Sequence, residues 1–334
     1  MKTLGISVEE LTDVLTKKNS FYSSRSLIKK NGSRTLQCIK PNSRLYVLQN
    51  NLVNRIFEDL ALPDTVYGFV RGRSYKDFLN PHVKVHKEST RYYLRLDIKD
   101  FFESITQDIL EQELMFIIKV NENAAKQEIM SSIINIVTLN GSLPQGAVTS
   151  PIISNIIFRR ADIRINNYCK KHSVIYTRYA DDLLFSTENM RIFNNQNIKF
   201  FIKMITNILK SLNLRINRSK IKKGENKISL NGFVIDNEVR ISRKKKQDIT
   251  KVLFLYENRG VPSNINQYLQ RLNNANLYYR NKPFNTKQQL INYLAGYRSF
   301  LIDWCSDQHP IFTKKNSQLI KRVEKLIIDV EALS

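Results

Sequence analysis

Ile175-Tyr-Thr-Arg-Tyr-Ala-Asp-Asp-Leu-Leu-Phe-Ser186 contains two β-rich runs, Ile175 to Ala180 and Leu183 to Ser186, joined by the adjacent acids Asp181 and Asp182. The pattern predicts a hairpin with an acidic tip. Neither Asp readily supplies the positive φ that tight hairpin turns favour. Two carboxylates about 5 Å apart repel by about 3 kcal/mol at an effective dielectric near 20. A divalent cation removes that problem, and hard oxygen ligands without accompanying His or Cys select Mg²⁺ or Mn²⁺ over zinc. In isolation the same tip would be an ordinary solvent-exposed turn, so its surroundings decide.

Upstream, Tyr93-Leu-Arg-Leu-Asp-Ile-Lys-Asp100 alternates, which places Leu94, Leu96 and Ile98 on a core face and Arg95, Asp97 and Lys99 on the other. Between the two acidic segments, Leu143-Pro-Gln-Gly-Ala-Val-Thr-Ser-Pro151 reads as a turn entering a helix, with Ser150 as N-cap and Pro151 at the first helical position. A helix N-terminus beside three carboxylates able to hold two metals suits in-line phosphoryl or nucleotidyl transfer. Spacing alone does not separate a polymerase from a nuclease.

The rest of the chain is consistent with a polyanionic substrate. Its 334 residues carry 53 Lys+Arg against 30 Asp+Glu, a net charge of +23, with the basic residues spread throughout. Nucleic acid is the expected partner. No apolar run approaches a membrane span, acids interrupt the N-terminal segment where a signal peptide would be apolar, and Cys38, Cys169 and Cys305 form neither a disulfide framework nor a zinc motif. A cytoplasmic protein without membrane association is the expectation.

Several further elements are legible. Ser7 and Glu10 form a capping box ahead of a first helix. Arg34 to Ile39 is strand-like and leads through Pro41 into a helix with Leu45, Leu48, Leu52, Val53 and Ile56 as its buried stripe. Tyr67-Gly-Phe-Val-Arg-Gly-Arg-Ser74 is a basic loop whose glycines would let backbone approach a phosphate. His82 and His86 read as hydrogen-bonded or surface histidines. Residues 107–138 and 198–213 read as helical, the second with Phe200, Phe201 and Met204 on its apolar face. Leu214 to Asn217 and the alternating 227–242 segment read as short strands. From Arg243 the pattern is helical, with 16 Lys+Arg against 7 Asp+Glu.

Asp97-Ile-Lys-Asp-Phe-Phe102, Leu143-Pro-Gln-Gly-Ala147 with Ser150-Pro151, and Tyr179-Ala-Asp-Asp182 resemble, in order and spacing, the palm motifs of reverse transcriptases, the bacterial retron type above all. The resemblance runs from about Arg34 to Phe300 and includes Asn217-Arg-Ser-Lys220 and Leu294-Ala-Gly-Tyr-Arg-Ser-Phe300. Two retron elements depart from pattern: Phe78-Leu-Asn-Pro-His82 keeps only the His of Asn-Ala-x-x-His, and Leu230-Asn231-Gly232 stands for Val-Thr-Gly.

The resemblance implies an α+β right-hand polymerase: N-terminal helices and fingers over 1–92, a palm over 93–242 with an antiparallel sheet packed on helices and fingers helices at 107–138, and a mainly helical thumb over 243–334. It makes Asp97, Asp181 and Asp182 catalytic, with Asp97, Asp181, Asp182 and the Ile98 carbonyl holding two Mg²⁺, for which Mn²⁺ would substitute. Asp100, Phe101, Phe102, Gln145 and Lys220 would bind the nucleotide. Of these, Phe102 would exclude a ribose 2′-hydroxyl. Lys220 would be a general acid, or else a solvated charge in its basic run. Asn231, Gly232 and Phe233 would grip the primer, and Arg34, Arg71, Arg73, Arg243, Lys244, Lys245 and Arg298 are basic candidates for nucleic-acid contact.

The implied function is RNA-directed DNA synthesis from dNTPs on a dedicated structured non-coding RNA. That RNA would serve as template and, through a 2′-hydroxyl, as primer. The product would be an RNA/DNA hybrid and RNA-linked single-stranded DNA (msDNA) in antiphage defence, with a defence effector protein as a candidate partner. The alternatives are an intron-encoded or abortive-infection reverse transcriptase and a non-catalytic RNA-binding scaffold. With 92 residues after the palm, a thumb but no additional DNA-binding or endonuclease domain is expected, which disfavours intron mobility, and clustered carboxylates serve no purpose in a scaffold.

Overall fold

The computed structural model describes residues 5–29, 32–84, 86, 88–120, 122–258, 264–279, 282–305 and 310–333, with the side chains of 27–29, 32–34, 305 and 310–316 outside the description. The chain divides into two compact units, Met1–Ile228 with Ile235–Val239, and Ser229–Val234 with Arg240–Ser334. Each has its own apolar core.

The first unit is organised around a four-stranded antiparallel sheet of order β4-β5-β3-β6, made of β3 (Tyr92–Asp97), β4 (Ile175–Tyr179), β5 (Asp182–Thr187) and β6 (Lys222–Glu225). Its register follows from the alternation. Leu94 faces Phe185 and Leu96 faces Leu183 on one side, while Tyr93 faces Ser186 and Asp97 faces Asp182 on the other. The Leu side packs into a core that includes Phe158 and Ile165 of α6 (Ser150–Lys171) and Phe201 and Ile205 of α7 (Asn197–Lys210). The opposite side is covered as well. Arg95 and Asp97 are only 8% and 2% exposed, so Asp97 leaves the apolar core without reaching bulk solvent. Among the described residues the edge strand β6 pairs only with β3, and it carries the exposed Lys222 and Lys223.

Ahead of the sheet come α1 (Val8–Thr16), with the Ser7–Glu10 capping box formed in both directions, and a hairpin of β1 (Tyr22–Lys29) with β2 (Gly32–Ile39). Then follow α2 (Arg44–Leu52), capped by Ser43, and the short α3 (Tyr75–Leu79). Helix α2 runs into a π-helical turn, Val53–Phe57, closed by Glu58 N–H donating to the Val53 carbonyl. The wider turn absorbs one residue. It moves the expected stripe by one position: Phe57 is buried and Ile56 is 37% exposed.

Other expectations shift as well. Residues 107–138 form two helices, α4 (Gln107–Ile117) and α5 (Asn123–Val137), because the chain extends at Ile118. Helix α6 starts at Ser150, so its N-cap is Thr149, and the Ser150 hydroxyl donates to the Pro144 carbonyl. Phe200 of α7 is 61% exposed rather than on the apolar face. Leu214 to Asn217 contributes one isolated bridge, Ile216 with Ile98, instead of a strand.

Strands β7 (Ile228–Leu230), β8 (Phe233–Ile235) and β9 (Val239–Ile241) form a three-stranded sheet where the chain passes between units. The second unit is otherwise helical: α8 (Arg243–Glu257), α9 (Ile265–Asn274), α10 (Lys287–Cys305) and α11 (Pro310–Ala332). Its core includes Val252, Leu253, Tyr268, Leu294, Val323 and Val330. Among the described residues, no helix is long and apolar enough to cross a membrane.

Candidate active site

The hairpin turn between β4 and β5 consists of Ala180 and Asp181, and Asp182 is already a strand residue paired with Tyr179 and with Asp97. The positive φ that neither Asp supplies is taken by Ala180, at 55°. Asp181 therefore sits at the tip, and its carbonyl accepts from Ile98 N–H at 2.9 Å. Distant segments thus bring Asp97, Ile98, Asp181 and Asp182 together.

The electrostatics of the cluster are uneven. Burial, and then the charges of Asp182 and Asp97, push the Asp181 carboxyl pKa up from its ordinary value. Lys220 Nζ donates to both oxygens of Asp97 at 3.0 Å. Arg95 Nε donates to Asp182 Oδ1 at 2.8 Å, a second guanidinium N–H reaches the same oxygen, and its Nη2 lies 3.5 Å from Asp97 Oδ2. Among the described residues, no three His, Cys, Asp or Glu side chains are gathered into an ion-holding group. The donor chemistry nevertheless fits a hard divalent cation, since Asp97, Asp181 and Asp182 offer carboxylate oxygens with no His or Cys beside them, and Lys220 only partly offsets the crowding at Asp181.

Five residues, Arg178, Asp162, Tyr176, Gly68 and Asn155, hold this tip in place, and the contacts by which they do so come from segments distant in the sequence. Arg178, fully buried on β4, donates to both carboxylate oxygens of Asp162 on α6 at 2.7–3.1 Å, stacks over Phe158, and reaches the Ala180 carbonyl at 3.1 Å. Tyr176 donates to the same carboxylate at 2.7 Å. Gly68 presses on the turn. A Cβ there would lie 2.4 Å from Ala180 N, so this loop glycine packs directly on the hairpin backbone. Asn155 Nδ2 donates to the Gly68 carbonyl at 2.8 Å and fixes that approach. Gly68→Ala should lower DNA synthesis by at least about tenfold, because the overlap is with backbone that no rotamer change relieves. Primer extension with purified variant checks it, and wild-type rates would show that the loop yields.

His82 pins the other end. Its ring is buried between Ser186 on β5 and Thr177 on β4, each at 2.8 Å. Thr177 directs its hydroxyl proton to the Phe78 carbonyl. His82 Nε2 therefore donates to Thr177, and Nδ1 accepts from Ser186. Burial, with a smaller push from Arg91, lowers its pKa to about 3. Below pH 6.5 the unfolded chain takes up a proton that the native imidazole refuses, so stability falls as pH drops from there toward 3, by roughly 1.4 kcal/mol per unit from this group. Denaturant melts across that range should show the loss, and His82→Gln should flatten it.

The family model for reverse transcriptase (RNA-dependent DNA polymerase) matches residues 27–253. The chain belongs to the reverse transcriptases. It is of the retron type: it is 30% identical to the retron Ec83 reverse transcriptase of Escherichia coli over 241 residues, covering 68% of this chain and 72% of that one. It is 29% identical to the retron Ec86 reverse transcriptase of the same species over 254 residues, 74% of each chain. Among solved structures, apo telomerase from Candida tropicalis superposes with a TM-score of 0.50 at 13% identity, over 92% of this chain and 62% of that longer one, a likeness of fold.

The remaining candidates in this reverse transcriptase fall in different places. Asp100, at φ 46°, and Phe101 lie in the turn after β3, and the Phe101 ring packs on Phe158 in the core. Phe102 is 9% exposed and faces Phe69, with ring centroids 6.0 Å apart. Gln145 lies in the turn before α6, and its buried Oε1 has no hydrogen-bond partner among the described residues. Next to it, the Gly146 carbonyl accepts from Ile39 N–H of β2 at 3.2 Å.

The basic candidates are mostly engaged. Arg73 ties its own loop, donating to the Val66 carbonyl at 2.5 Å and to the Pro63 and Asp64 carbonyls. Arg71 pairs with Glu58 at 3.3 Å, and the side chain of Arg34 lies outside the described residues. In the second unit, Asn231 and Gly232 form the β7–β8 turn at φ 45° and 89°, and Phe233 stacks on Trp304 at 4.2 Å. Lys245 is clamped 4.1 Å from both Phe233 and Phe300, and burial lowers its pKa, so it braces the turn instead of projecting to solvent. Arg298 pairs with Glu324 at 2.7 Å. Arg243 and Lys244 line an open basic groove on α8 with Thr250 and Phe254.

Proposed function

We propose that this retron-type reverse transcriptase copies a dedicated structured RNA into DNA by metal-assisted nucleotidyl transfer, working in antiphage defence. The observation that supports it most is the register that sets Asp97 opposite Asp182, with Asp181 at the tip of the same hairpin. Asp97, Asp181 and the Ile98 carbonyl would hold Mg²⁺. The metal, when bound, supplies Lewis-acid activation of the primer hydroxyl and charge neutralisation at the departing pyrophosphate.

The chain's own groups do the remaining work. Lys220, which donates to Asp97 in the structure, would pass to the triphosphate and donate a proton. Asp100 and Phe101 backbone N–H groups would meet phosphate oxygens, and the unsatisfied Gln145 amide oxygen would take a donor from the nucleotide. Residues 1–92 and 107–138 would act as fingers, 93–242 as palm and 243–334 as thumb, with Asn231, Gly232 and Phe233 gripping the primer. Arg243 and Lys244 would contact the phosphates of an RNA/DNA hybrid.

The experiment is to purify the protein with its co-bound RNA, add dNTPs and Mg²⁺, and follow labelled DNA. Product that shortens on ribonuclease treatment is expected, and product with no attached RNA would reject the RNA-primed route. Phe102→Ala should admit ribonucleotides, lowering discrimination by about 1–3 kcal/mol, as expected when a side chain that packs against a sugar is removed. A dNTP/NTP competition assay reads it, and unchanged discrimination would remove Phe102 from that role.

A further inference from the structure

Between Glu188 and Glu225 the chain contains no acidic residue, while residues 189–224 carry nine Lys and Arg. The structure folds five of them into one place. Lys199, Lys203 and Lys210 of α7, with Arg215 and Arg218 from the segment that follows, line a groove of about 1260 Å³ over an apolar floor that includes Ile202 and Leu214. All five are exposed, and among the described residues none has an acidic partner. Other surface cations are paired, as with Arg44 on Asp13 and Arg322 on Glu257. Gathering five uncompensated cations in a concavity is unfavourable unless a polyanion enters it.

The shape and chemistry of the groove narrow the ligand. Lys199 to Lys210 is a fixed row about 16 Å long at the helical rise, longer than one triphosphate and matched to several consecutive phosphates of a strand. Thr206, Asn207 and Asn213 add neutral hydrogen-bonding groups suited to phosphate and sugar oxygens. Among the described residues no aromatic side chain lines the groove, so it offers no platform for the unstacked bases of a single strand. Double-stranded RNA, read through backbone and shape, has the matching chemistry. The groove also adjoins the candidate site, since the Arg215 carbonyl accepts from Lys99 N–H and Asn217 N–H donates to the Asp97 carbonyl, both at 2.8 Å.

We infer that the α7 groove is a docking surface for the sugar-phosphate backbone of an RNA duplex, which it holds beside the strand that carries Asp97. The inference rests on the proposed RNA-copying function and specifies where a paired stem of that RNA lies.

The test uses the full chain with Lys199→Gln/Lys203→Gln/Lys210→Gln, all solvent-facing changes away from the acidic cluster, and with the Arg replacements at the same three positions. The probe is an RNA duplex of roughly 16 base pairs, titrated across a KCl series, with single-stranded RNA of equal length alongside. Duplex affinity of the Gln variant should fall on the order of tenfold, and the slope of log K against log salt should drop by about two to three, near 0.9 for each phosphate no longer neutralised. The Arg variant should restore both. Extension of a generic primer on an unstructured template should be unchanged, which separates failure here from failure of the polymerase assignment. Wild-type duplex affinity and slope in the Gln variant would overturn the docking surface. So would a loss confined to single-stranded RNA, or a raised KM for dNTP with duplex binding intact.

Discussion

Asp181→Asn should abolish DNA synthesis, by at least about a thousandfold, while leaving the protein folded and able to bind RNA. A metal ligand at the reacting centre is worth several kcal/mol of transition-state stabilisation, and each 1.4 kcal/mol is about tenfold in rate. The variant should also be no less stable than wild type. Burial beside Asp182 and Asp97 raises the Asp181 pKa, so its ionised form opposes folding at neutral pH, and a neutral isostere removes that opposition. Single-turnover incorporation and a thermal melt on one preparation read both effects, and Mg²⁺ should raise the wild-type melting temperature more than that of the variant. Residual synthesis within tenfold of wild type would remove Asp181 from the centre.

The second large effect is on stability. Asp162→Ala should cost about 3–5 kcal/mol, because it strands the fully buried Arg178 guanidinium without its carboxylate and leaves Tyr176 without an acceptor. The cost arises from the unpaired charge, so Asp162→Leu/Arg178→Met should be less destabilised than Asp162→Ala alone. Urea melts of the two variants decide it. Equal losses would mean that the pair contributes mainly through packing around Phe158.

These two predictions mark what can and cannot be seen in the chain. The acidic hairpin and the alternation of Tyr93 to Asp100 are legible because the two-residue period and turn composition are local properties. The motif spacing that joins them marks the family. Arg95, Asp162 and Arg178 are not legible in that way. A charged residue on a strand or an amphipathic helix looks solvated until its partner is known, and here the partners come from other elements: Asp182 for Arg95, and α6 for Arg178. Gly68 stands out as a loop glycine, but its neighbour is hidden, since only the tertiary fold brings Ala180 against it. The π-turn at Val53–Phe57 changes which apolar side chain is buried because a helical-wheel count assumes an unbroken 3.6-residue period. Lys245 reads as one of four consecutive basic residues, and nothing local distinguishes it from those that stay in water.

The outer margin of the β4-β5-β3-β6 sheet carries a further consequence. Strand β6 is an edge of that sheet, and although the Glu225 carbonyl already accepts from Lys227 N–H, its margin at Lys222 and Lys223 is where a second molecule could extend the sheet. The two ammonium groups there make such stacking self-repelling, and the brevity of the strand limits what could be gained from it. Replacing both lysines with threonine would therefore be felt first as clumping in concentrated stocks, well before any change in turnover.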